Sequence, residues 1–240
     1  MSPDRQPEYN LHPEGLTPNQ ETLLIKVFEI GAIRIEPTSW KMHKDFPDAP
    51  PAPMYSDFRM LRRDPNVKKV AVDVYVDILK GLDYDLLADA PTAITPIVAS
   101  LSDTLKKGHI TPRLDKKDYG PGQKIDGLLS EDIGKTAVLV DDLVNFGGSK
   151  REAIEILEAE GIVVSDIVVL LDYGFLEAHL LNSRDGEKSY EVHSAFSVEQ
   201  MLEFYLRRGK ITRDQYQIAK TGIEELRSYV DSHSQLGSSV

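Results

Sequence analysis

The chain has 240 residues, of which 41% are hydrophobic, and this is enough for one sizeable α/β core with small appendages. Its formal net charge of −11 argues against a broad contact with nucleic acid, because phosphate backbones are bound by clustered lysine and arginine side chains. The chain contains no cysteine, which excludes a disulfide scaffold, thiolate catalysis and a cysteine-ligated zinc site.

Both ends of the chain are polar. Residues 1–16 contain three prolines and no apolar period, and we expect disordered tails at 1–16 and 232–240. No apolar run approaches the roughly eighteen residues that span a bilayer. We therefore expect a cytoplasmic protein with no membrane partner and no nucleic-acid partner.

Two helices are predicted before residue 80, separated by a long loop. Thr17 and Gln20 form a capping box around Pro18, which predicts a first helix that ends near Ile30. Residues 36–53 contain five prolines and little periodicity, which is typical of a functional loop. Asp64 and Pro65 then predict the start of a second helix.

Downstream of residue 80 the chain alternates between apolar runs and helical patterns. The apolar runs lie at 84–88, 109–114, 136–140, 166–171 and 190–194. The helical patterns lie at about 96–106, 149–160, 197–208 and 212–230, and Gly161 is predicted to follow the second of these as a C′ glycine. The alternation predicts an α/β fold with a mainly parallel, twisted sheet flanked by helices.

The segment from Thr136 to Lys150 contains the strongest functional pattern. An apolar strand, 136–140, leads to Asp141 and Asp142, and a turn with two glycines then opens a helix. Ligands bind beyond the carboxyl ends of strands in open α/β sheets, and the unpaired N–H groups of a helix start favour an anion. The pattern predicts a monophosphate site, with both carboxylates placed to accept hydrogen bonds from sugar hydroxyls.

Two other phosphate-binding motifs are absent. The sequence Gly147-Gly148-Ser149-Lys150 lacks the earlier glycine of G-x-x-x-x-G-K-[ST], and no G-x-G-x-x-G opens a helix after a strand. ATP hydrolysis and Rossmann-type dinucleotide binding are therefore disfavoured.

A basic loop precedes this segment in an otherwise acidic chain. Residues 112–127 contain Arg113, Lys116, Lys117 and Lys124 together with glycines and a second proline. Such a loop is expected to close over a diphosphate and to neutralise its charge.

The segment from Thr136 to Lys150 resembles the phosphoribosyl pyrophosphate (PRPP) motif of type I phosphoribosyltransferases. The resemblance implies that Asp141 and Asp142 hold the ribose hydroxyls. It implies that the 5-phosphate is held by Asn145, Phe146, Gly147, Gly148 and Ser149. Mg²⁺ is the implied cofactor, bound indirectly by the two aspartates through water or substrate.

Within that class the chain is most similar to orotate phosphoribosyltransferases. Their catalytic loop is matched in order by Arg113, Lys117, Asp118, Tyr119 and Gly120. Leu114 stands where the family usually has Lys, and Lys116 is the candidate replacement. By this resemblance Lys117 and Arg113 are catalytic with the two aspartates, Lys116 and Tyr119 also bind PRPP, and the loop acts across the interface of a homodimer.

Two further segments resemble the same family. Residues 52–59 are similar to the strand that lines the base site, and 91–96 are similar to the pyrophosphate loop, which assigns Thr92 and Ala93 to PRPP binding. The implied fold is a single type I phosphoribosyltransferase domain at 17–231. It comprises a small hood region at 17–60, an α/β core at 61–195 and C-terminal helices at 196–231.

The base-binding residues are predicted to be Tyr55, Arg59, Lys41, Asn145 and Tyr173. Three features differ from the family pattern: Tyr173 replaces an Arg after Leu-Asp, Asn145 replaces a Thr, and the Lys-Ser-Gly of the hood is missing. The partner of a substrate carboxylate is then Lys41, Lys44, Arg59 or Arg34, or the base has no carboxylate.

Three hypotheses follow for function. The first is transfer of ribose 5-phosphate from PRPP to orotate, which gives orotidine 5′-phosphate and pyrophosphate. The second keeps this chemistry with another base. The third is a regulatory protein that binds PRPP without turnover. None of the six histidines is assigned to metal binding or catalysis, because their spacing matches no ligand motif.

Overall fold

The computed structural model of the chain describes residues 15–44, 46–114 and 124–233. Its α-helices are α1 (Pro18–Glu29), α2 (Pro65–Leu79), α3 (Thr95–Leu105), α4 (Gly148–Ala159), α5 (Val198–Arg207) and α6 (Arg213–Ser232). Its strands are β1 (Ile33–Arg34), β2 (Tyr55–Ser56), β3 (Leu86–Asp89), β4 (Gly108–Pro112), β5 (Ile125–Asp126), β6 (Thr136–Val140), β7 (Leu143–Val144), β8 (Val163–Asp172), β9 (Leu180–Asn182) and β10 (Ser189–Ser197).

The helices begin where the capping residues predict. Thr17 accepts a hydrogen bond from the backbone N–H of Gln20, and the Gln20 side chain accepts one from Thr17, so the capping box of α1 is confirmed. Asp64 caps α2 by accepting from the backbone of Asn66 and Val67. The helices predicted at 96–106, 149–160, 197–208 and 212–230 are also confirmed to within two residues at each end.

The main sheet has the strand order β5-β4-β3-β6-β8-β10-β9. Its five central strands, β4, β3, β6, β8 and β10, are parallel, whereas β5 and β9 add antiparallel edges and β7 pairs with the end of β8. Strands β3 and β6 and the last six residues of β8 are buried almost without interruption, and their continuous apolar runs explain why the sequence revealed them. The predicted mainly parallel sheet is confirmed.

Helices cover both faces of this sheet. On one face α1, α2, α3 and α5 form a large core that includes Leu24, Tyr75 and Phe204. On the other face α4 packs through Ile154 and Leu157. This arrangement brings the carboxyl ends of β3 and β6 and the start of α4 to one edge of the molecule.

The segment predicted as a hood is part of the same core. Strands β1 and β2 pair in an antiparallel two-stranded sheet, and Met54 and Phe58 beside them are buried in the large core. The loop at 36–53 carries a 3-10 helix, Lys41–Lys44, and its ends are joined by backbone hydrogen bonds between Thr38 and Ala52. The hood therefore has a fixed position over the sheet.

The last helix supports the hood from outside. Leu226 of α6 is fully buried in a small apolar cluster with Met42, Ala49, Ala52 and Phe146. Gly222 of α6 lies so close to the loop that an added Cβ would be 2.7 Å from the Pro53 side chain. The sequence placed α6 in a C-terminal segment without predicting this contact.

The strands that periodicity did not predict are short, although family resemblance indicated β2 within 52–59. Strands β1, β2, β5, β7 and β9 have two or three residues each, too few for a period of two to be recognised. The predicted tails lie almost entirely outside the described residues. None of the helices in the described part of the chain combines the length and the apolar composition that a membrane span requires.

Candidate active site

A cavity of about 640 Å³ opens at the carboxyl edge of the sheet, beneath the hood. This size is typical of a site for a small organic ligand. It is lined by eleven residues that the sequence singled out: Lys41, Tyr55, Arg59, Thr92, Ala93, Asp141, Asp142, Asn145, Phe146, Gly148 and Ser149. One cavity therefore joins the segments assigned to base, ribose and phosphates.

The turn between β7 and α4 has the geometry of a phosphate loop. Gly147 has a left-handed φ of 79°, and an added Cβ would lie 2.2 Å from Cδ1 of the buried Leu181. Only glycine fits this position, and its backbone turns the chain so that Gly148 and Ser149 face the cavity. The first N–H groups of α4 have no partner within the helix and favour an anion here.

The phosphate loop is braced by Arg151, which the sequence analysis did not assign. Its buried guanidinium donates to the backbone oxygen of Phe146 at 2.8 Å and, through Nε, to that of Asn182 at 2.8 Å. The brace ties the loop to strand β9. No local signal marks this role, because an arginine in the first turn of a helix is ordinarily a surface residue.

Asp141 is buried beside a lysine. Its side chain is paired with Lys150, which is also buried, and it accepts a hydrogen bond from the backbone N–H of Asp142 at 2.8 Å. The Tyr75 hydroxyl donates to the backbone oxygen of Asp141 at 2.7 Å. Lys150 therefore compensates the charge of Asp141. The sequence contained it in the motif without assigning it this partner.

Asp142 lies beside this pair and is less completely buried. Burial, together with the neighbouring charge of Asp141, raises the pKa of Asp142 to about 7, although Lys150 acts in the opposite direction. The backbone N–H of Leu143 donates to the carboxylate at 2.8 Å. Asp142 can consequently take up or release a proton near neutral pH and can accept hydrogen bonds from hydroxyl groups in the cavity.

The loop assigned to pyrophosphate is held from two sides. Arg62 donates to the backbone oxygens of Thr92 and Ala93 at 2.9 and 3.2 Å. Behind the loop, the fully buried Asp89 accepts hydrogen bonds from the hydroxyls of Thr95 and Thr111 and pairs with His109 Nε2 at 2.9 Å. No sequence pattern marked Arg62 or Asp89, since Arg62 acts by holding the loop backbone and Asp89 acts through buried contacts with side chains of β4 and α3.

The basic loop is only partly described. Arg113 at the end of β4 is paired with Asp126 of β5, and it does not line the cavity. The candidates Lys116, Lys117 and Tyr119 lie outside the described residues. Their predicted roles, and the contact of Arg113 with pyrophosphate, stay predictions.

Comparison with known proteins assigns the family. No protein-family model matches the chain. It is 31% identical over 152 residues to the orotate phosphoribosyltransferase of Pyrobaculum aerophilum, an alignment that covers 63% of this chain and 76% of that protein. It is 26% identical over 164 residues to that of Caenorhabditis elegans, covering 68% and 70% of the two chains. The chain belongs to the orotate phosphoribosyltransferase family.

Solved structures of this family agree with the predicted fold. The chain matches the UMP synthase of Leishmania donovani with a TM-score of 0.71 and 25% identity, over 86% of this chain but only 42% of that longer one. It matches the orotate phosphoribosyltransferase of Aeropyrum pernix with a TM-score of 0.60 and 24% identity, over 77% and 97% of the two chains. The α/β type I phosphoribosyltransferase fold is therefore confirmed.

The base end of the cavity contains two cationic side chains, of which one, Arg59, forms an ion pair with a described residue and the other, Lys41, does not. The Arg59 guanidinium donates to both carboxylate oxygens of Asp57, at 2.6 and 3.0 Å, and to the Tyr55 hydroxyl at 2.8 Å. The hydrogen bond and charge of Asp57 raise the pKa of Arg59 further. Lys41 lines the same cavity, and no residue in the described ranges forms an ion pair with its amino group.

Tyr173 does not line the cavity as predicted for a base-binding residue. It is buried behind the hood, where its hydroxyl forms a hydrogen bond of 2.9 Å with Ser56 Oγ and its ring packs edge-on against Trp40. Ser56 itself lines the cavity. The reason is that β8 ends beneath the hood, so that the residue after Asp172 supports the cavity wall in this member of the family.

Three histidines form pairs with aspartates that spacing did not reveal. Besides the pair of His109 with Asp89, His179 pairs with Asp172 and His193 with Asp166, at 2.9 and 2.8 Å. Ligand atoms of Asp166, Glu191 and His193 lie within 4.8 Å of one another, a grouping that could hold a metal ion. This group is about 20 Å along β8 from Asp172, at roughly 3.3 Å per residue, and thus lies far from the cavity.

Proposed function

We propose that the protein transfers the 5-phosphoribosyl group of PRPP to orotate, giving orotidine 5′-phosphate and pyrophosphate in pyrimidine nucleotide biosynthesis. The observation that carries this proposal is the joining, in one cavity, of the phosphate loop, the Asp141–Asp142 pair and the loop of Thr92 and Ala93. The names of its relatives, orotate phosphoribosyltransferase, support orotate as the acceptor.

The sugar of PRPP is proposed to lie over the end of β6. The backbone of residues 145–149 and the Ser149 hydroxyl then bind the 5-phosphate at the start of α4. Asp142 accepts hydrogen bonds from the vicinal ribose hydroxyls, while the Lys150-paired Asp141 accepts from the backbone N–H of Asp142 and so holds that residue in place. The negative charge of the ionised Asp142 stabilises the cationic ribosyl group as it develops in the transition state.

The residues present fit an Mg²⁺ ion that is bound through water and substrate. Among the described side chains, no three acidic or histidine ligands converge in the cavity, and Asp141 and Asp142 are adjacent carboxylates that line it. Mg²⁺ ordinarily keeps several waters and binds one or two carboxylates together with substrate phosphates. When bound, the ion would supply charge neutralisation of the pyrophosphate.

Pyrophosphate is proposed to depart toward the loop of Thr92 and Ala93. The C1–O bond breaks with its electron pair on the pyrophosphate oxygen, a ring nitrogen of orotate forms the new bond to C1, and the proton of that nitrogen passes to solvent. Lys117, Arg113, Lys116 and Tyr119 are proposed to stabilise the leaving group, with the basic loop supplied by the partner of a homodimer. The dimer and the cytoplasmic location stay predictions.

Lys41 is the proposed partner of the orotate carboxylate. It lines the base end of the cavity, and its charge is not compensated by an ion pair with any described residue, whereas Arg59 is already bound to Asp57. Lys41→Ala should raise the KM for orotate about tenfold or more while the KM for PRPP changes little, as expected for loss of a charge-assisted hydrogen bond. Lys44→Ala is the control, because Lys44 lies in the same 3-10 helix and does not line the cavity.

A base panel tests the function as a whole. Purified protein with PRPP and Mg²⁺ is offered orotate, uracil, other pyrimidines, purines and simple amines, and pyrophosphate release is followed. We expect turnover of orotate alone. Turnover of another base without turnover of orotate would show that the acceptor is a different base, the alternative that Tyr173 and Asn145 motivate. PRPP binding without turnover of any base would favour a regulatory protein.

The acid pair provides the companion variant. Asp141→Asn/Asp142→Asn should lower PRPP-dependent turnover at least a hundredfold, because preorganised charges at the reacting centre commonly contribute that much. A double variant that folds and retains the parent rate would contradict the assigned roles of both carboxylates.

A further inference from the structure

The wall of the cavity beside the phosphate loop includes a residue from a distant part of the chain. Arg184 lines the cavity together with Ser149 and Glu152, although it is more than thirty positions from either of them. It lies in the turn between β9 and β10. No motif in the sequence links this turn to phosphate.

The turn is built rigidly onto the phosphate loop. Leu181 of β9 is fully buried against Gly147, and Arg151 joins the backbone of Asn182 to that of Phe146. Strand β9 pairs with β10, and the backbone N–H of Ser183 donates to the Lys188 oxygen at 3.0 Å, which closes the turn. Arg184 therefore has a fixed backbone position relative to the phosphate loop.

The guanidinium of Arg184 can move at small cost. It is paired with Glu155 on α4, but both side chains are about half exposed, at 47% and 48%. Exposed ion pairs of this kind contribute little to stability, on the order of 0–1 kcal/mol. A phosphate monoester in the cavity offers a stronger, bidentate partner with up to two negative charges.

The charge balance at this end of the cavity favours such a shift. Glu152 contributes a carboxylate to the wall, and Lys150 is compensated by Asp141. Of the described cations that line this end of the cavity, Arg184 therefore has the weaker ion pair, because its partner Glu155 is exposed. Without Arg184, a doubly charged phosphate here would meet backbone N–H groups, the Ser149 hydroxyl and the acidic Glu152 side chain, with no uncompensated cation among the described residues that line this end.

We propose that Arg184 is a binding residue for the 5-phosphate of the phosphorylated sugar, exchanging Glu155 for the phosphate when the ligand enters. The inference rests on the proposed function for the identity of the sugar, and it requires no particular base. It adds a charged side-chain contact from the β9–β10 turn to a phosphate site otherwise made of backbone N–H groups and the Ser149 hydroxyl.

Ribose 5-phosphate, titrated by calorimetry without base, tests the proposal directly. Arg184→Ala should raise its dissociation constant about fivefold to tenfold, a typical loss for one charge-assisted contact, and Arg184→Lys should recover part of the loss. Lys188→Ala is the matched control. Lys188 lies at the end of the same turn and pairs with Glu158 on the same helix at 2.7 Å, but it does not line the cavity.

Glu155→Gln gives a prediction of opposite sign. Releasing Arg184 from Glu155 should leave the affinity for ribose 5-phosphate unchanged or increase it, whereas a merely structural ion pair would make both variants weaken binding equally. Arg184→Ala within twofold of the parent, or an equal loss in Lys188→Ala, would overturn the proposal. So would absence of ribose 5-phosphate binding by the parent protein. If the base panel shows no turnover of orotate but Arg184→Ala still weakens ribose 5-phosphate binding, the role of Arg184 is supported and only the proposed acceptor base is wrong.

Discussion

At the scale of single residues, Asp142 lies where burial and a second carboxylate both oppose ionisation. Its pKa is about 7 in the folded protein, above the value of about 3.9 in an unfolded chain. Because the pKa is higher in the folded protein, ionisation of this carboxylate lowers the free energy of unfolding. The loss is absent below about pH 4, where both states are protonated, and it grows between about pH 4 and 7. It is complete above about pH 7, the range in which the group would act.

Asp142→Asn should remove that cost. In metal-free buffer without PRPP, the variant should melt at a higher temperature than the parent at pH 8, with a gain of roughly 2–4 °C for each kcal/mol relieved. The gain should shrink as the pH falls and vanish near pH 4. Asp103→Asn, an exposed position on α3, is the control and should show no such trend. An equal gain at pH 5 and pH 8 would contradict the raised pKa.

At the scale of elements, the connection from β6 through β7 to α4 decides the phosphate site. The sequence predicted the strand, the acid pair and the helix, because continuous apolar runs and a glycine turn are local signals. It did not reveal that Leu181 of β9 occupies the space beside Gly147, since β9 is three residues long and distant in sequence. The conformation of the phosphate loop thus depends on Leu181, a contact that no local sequence pattern predicts.

Gly147→Ala tests this dependence. An added methyl group must overcome both the left-handed φ of 79° and the contact with Leu181 at 2.2 Å, so the start of α4 should shift and the KM for PRPP should rise about tenfold. Gly186→Ala is the matched control. Gly186 has a φ of 74° with nothing within 4 Å of an added Cβ, so it should lose only the roughly 1 kcal/mol of a left-handed alanine. Equal effects on PRPP binding would disprove the role of Leu181.

At the scale of the whole molecule, the hood, the phosphate loop and the C-terminal helix are one packed unit. Phe146 of the phosphate loop stacks on Phe175 at a centroid distance of 4.8 Å, and Trp40 of the hood contacts the rings of Phe175 and Tyr173. Leu226 of α6 closes the cluster from outside. The two ends of the cavity are therefore held by the same apolar contacts.

Leu226→Ala should weaken both ends together. The lost packing should cost about 2–5 kcal/mol of unfolding free energy in urea, and the KM for PRPP and for orotate should both rise. Ile218→Ala on the same helix is the control, because Ile218 is 56% exposed and its loss should change stability by less than about 0.5 kcal/mol. A loss of stability with both KM values unchanged would show that the packing of α6 does not support substrate binding.

The sequence by itself determined the α/β class, the capped helices, the acid pair and the phosphate turn, because each is written in consecutive residues through periodicity, capping or glycine spacing. It also identified, as candidates, eleven residues that line the cavity. Only the tertiary structure decided that Lys150 compensates Asp141, that Arg62 and Arg151 brace the two loops, and that Tyr173 lies behind Ser56. The physical reason is that each of these roles depends on which group a side chain contacts in the folded protein. Tertiary packing determines that contact, and no local sequence pattern predicts it.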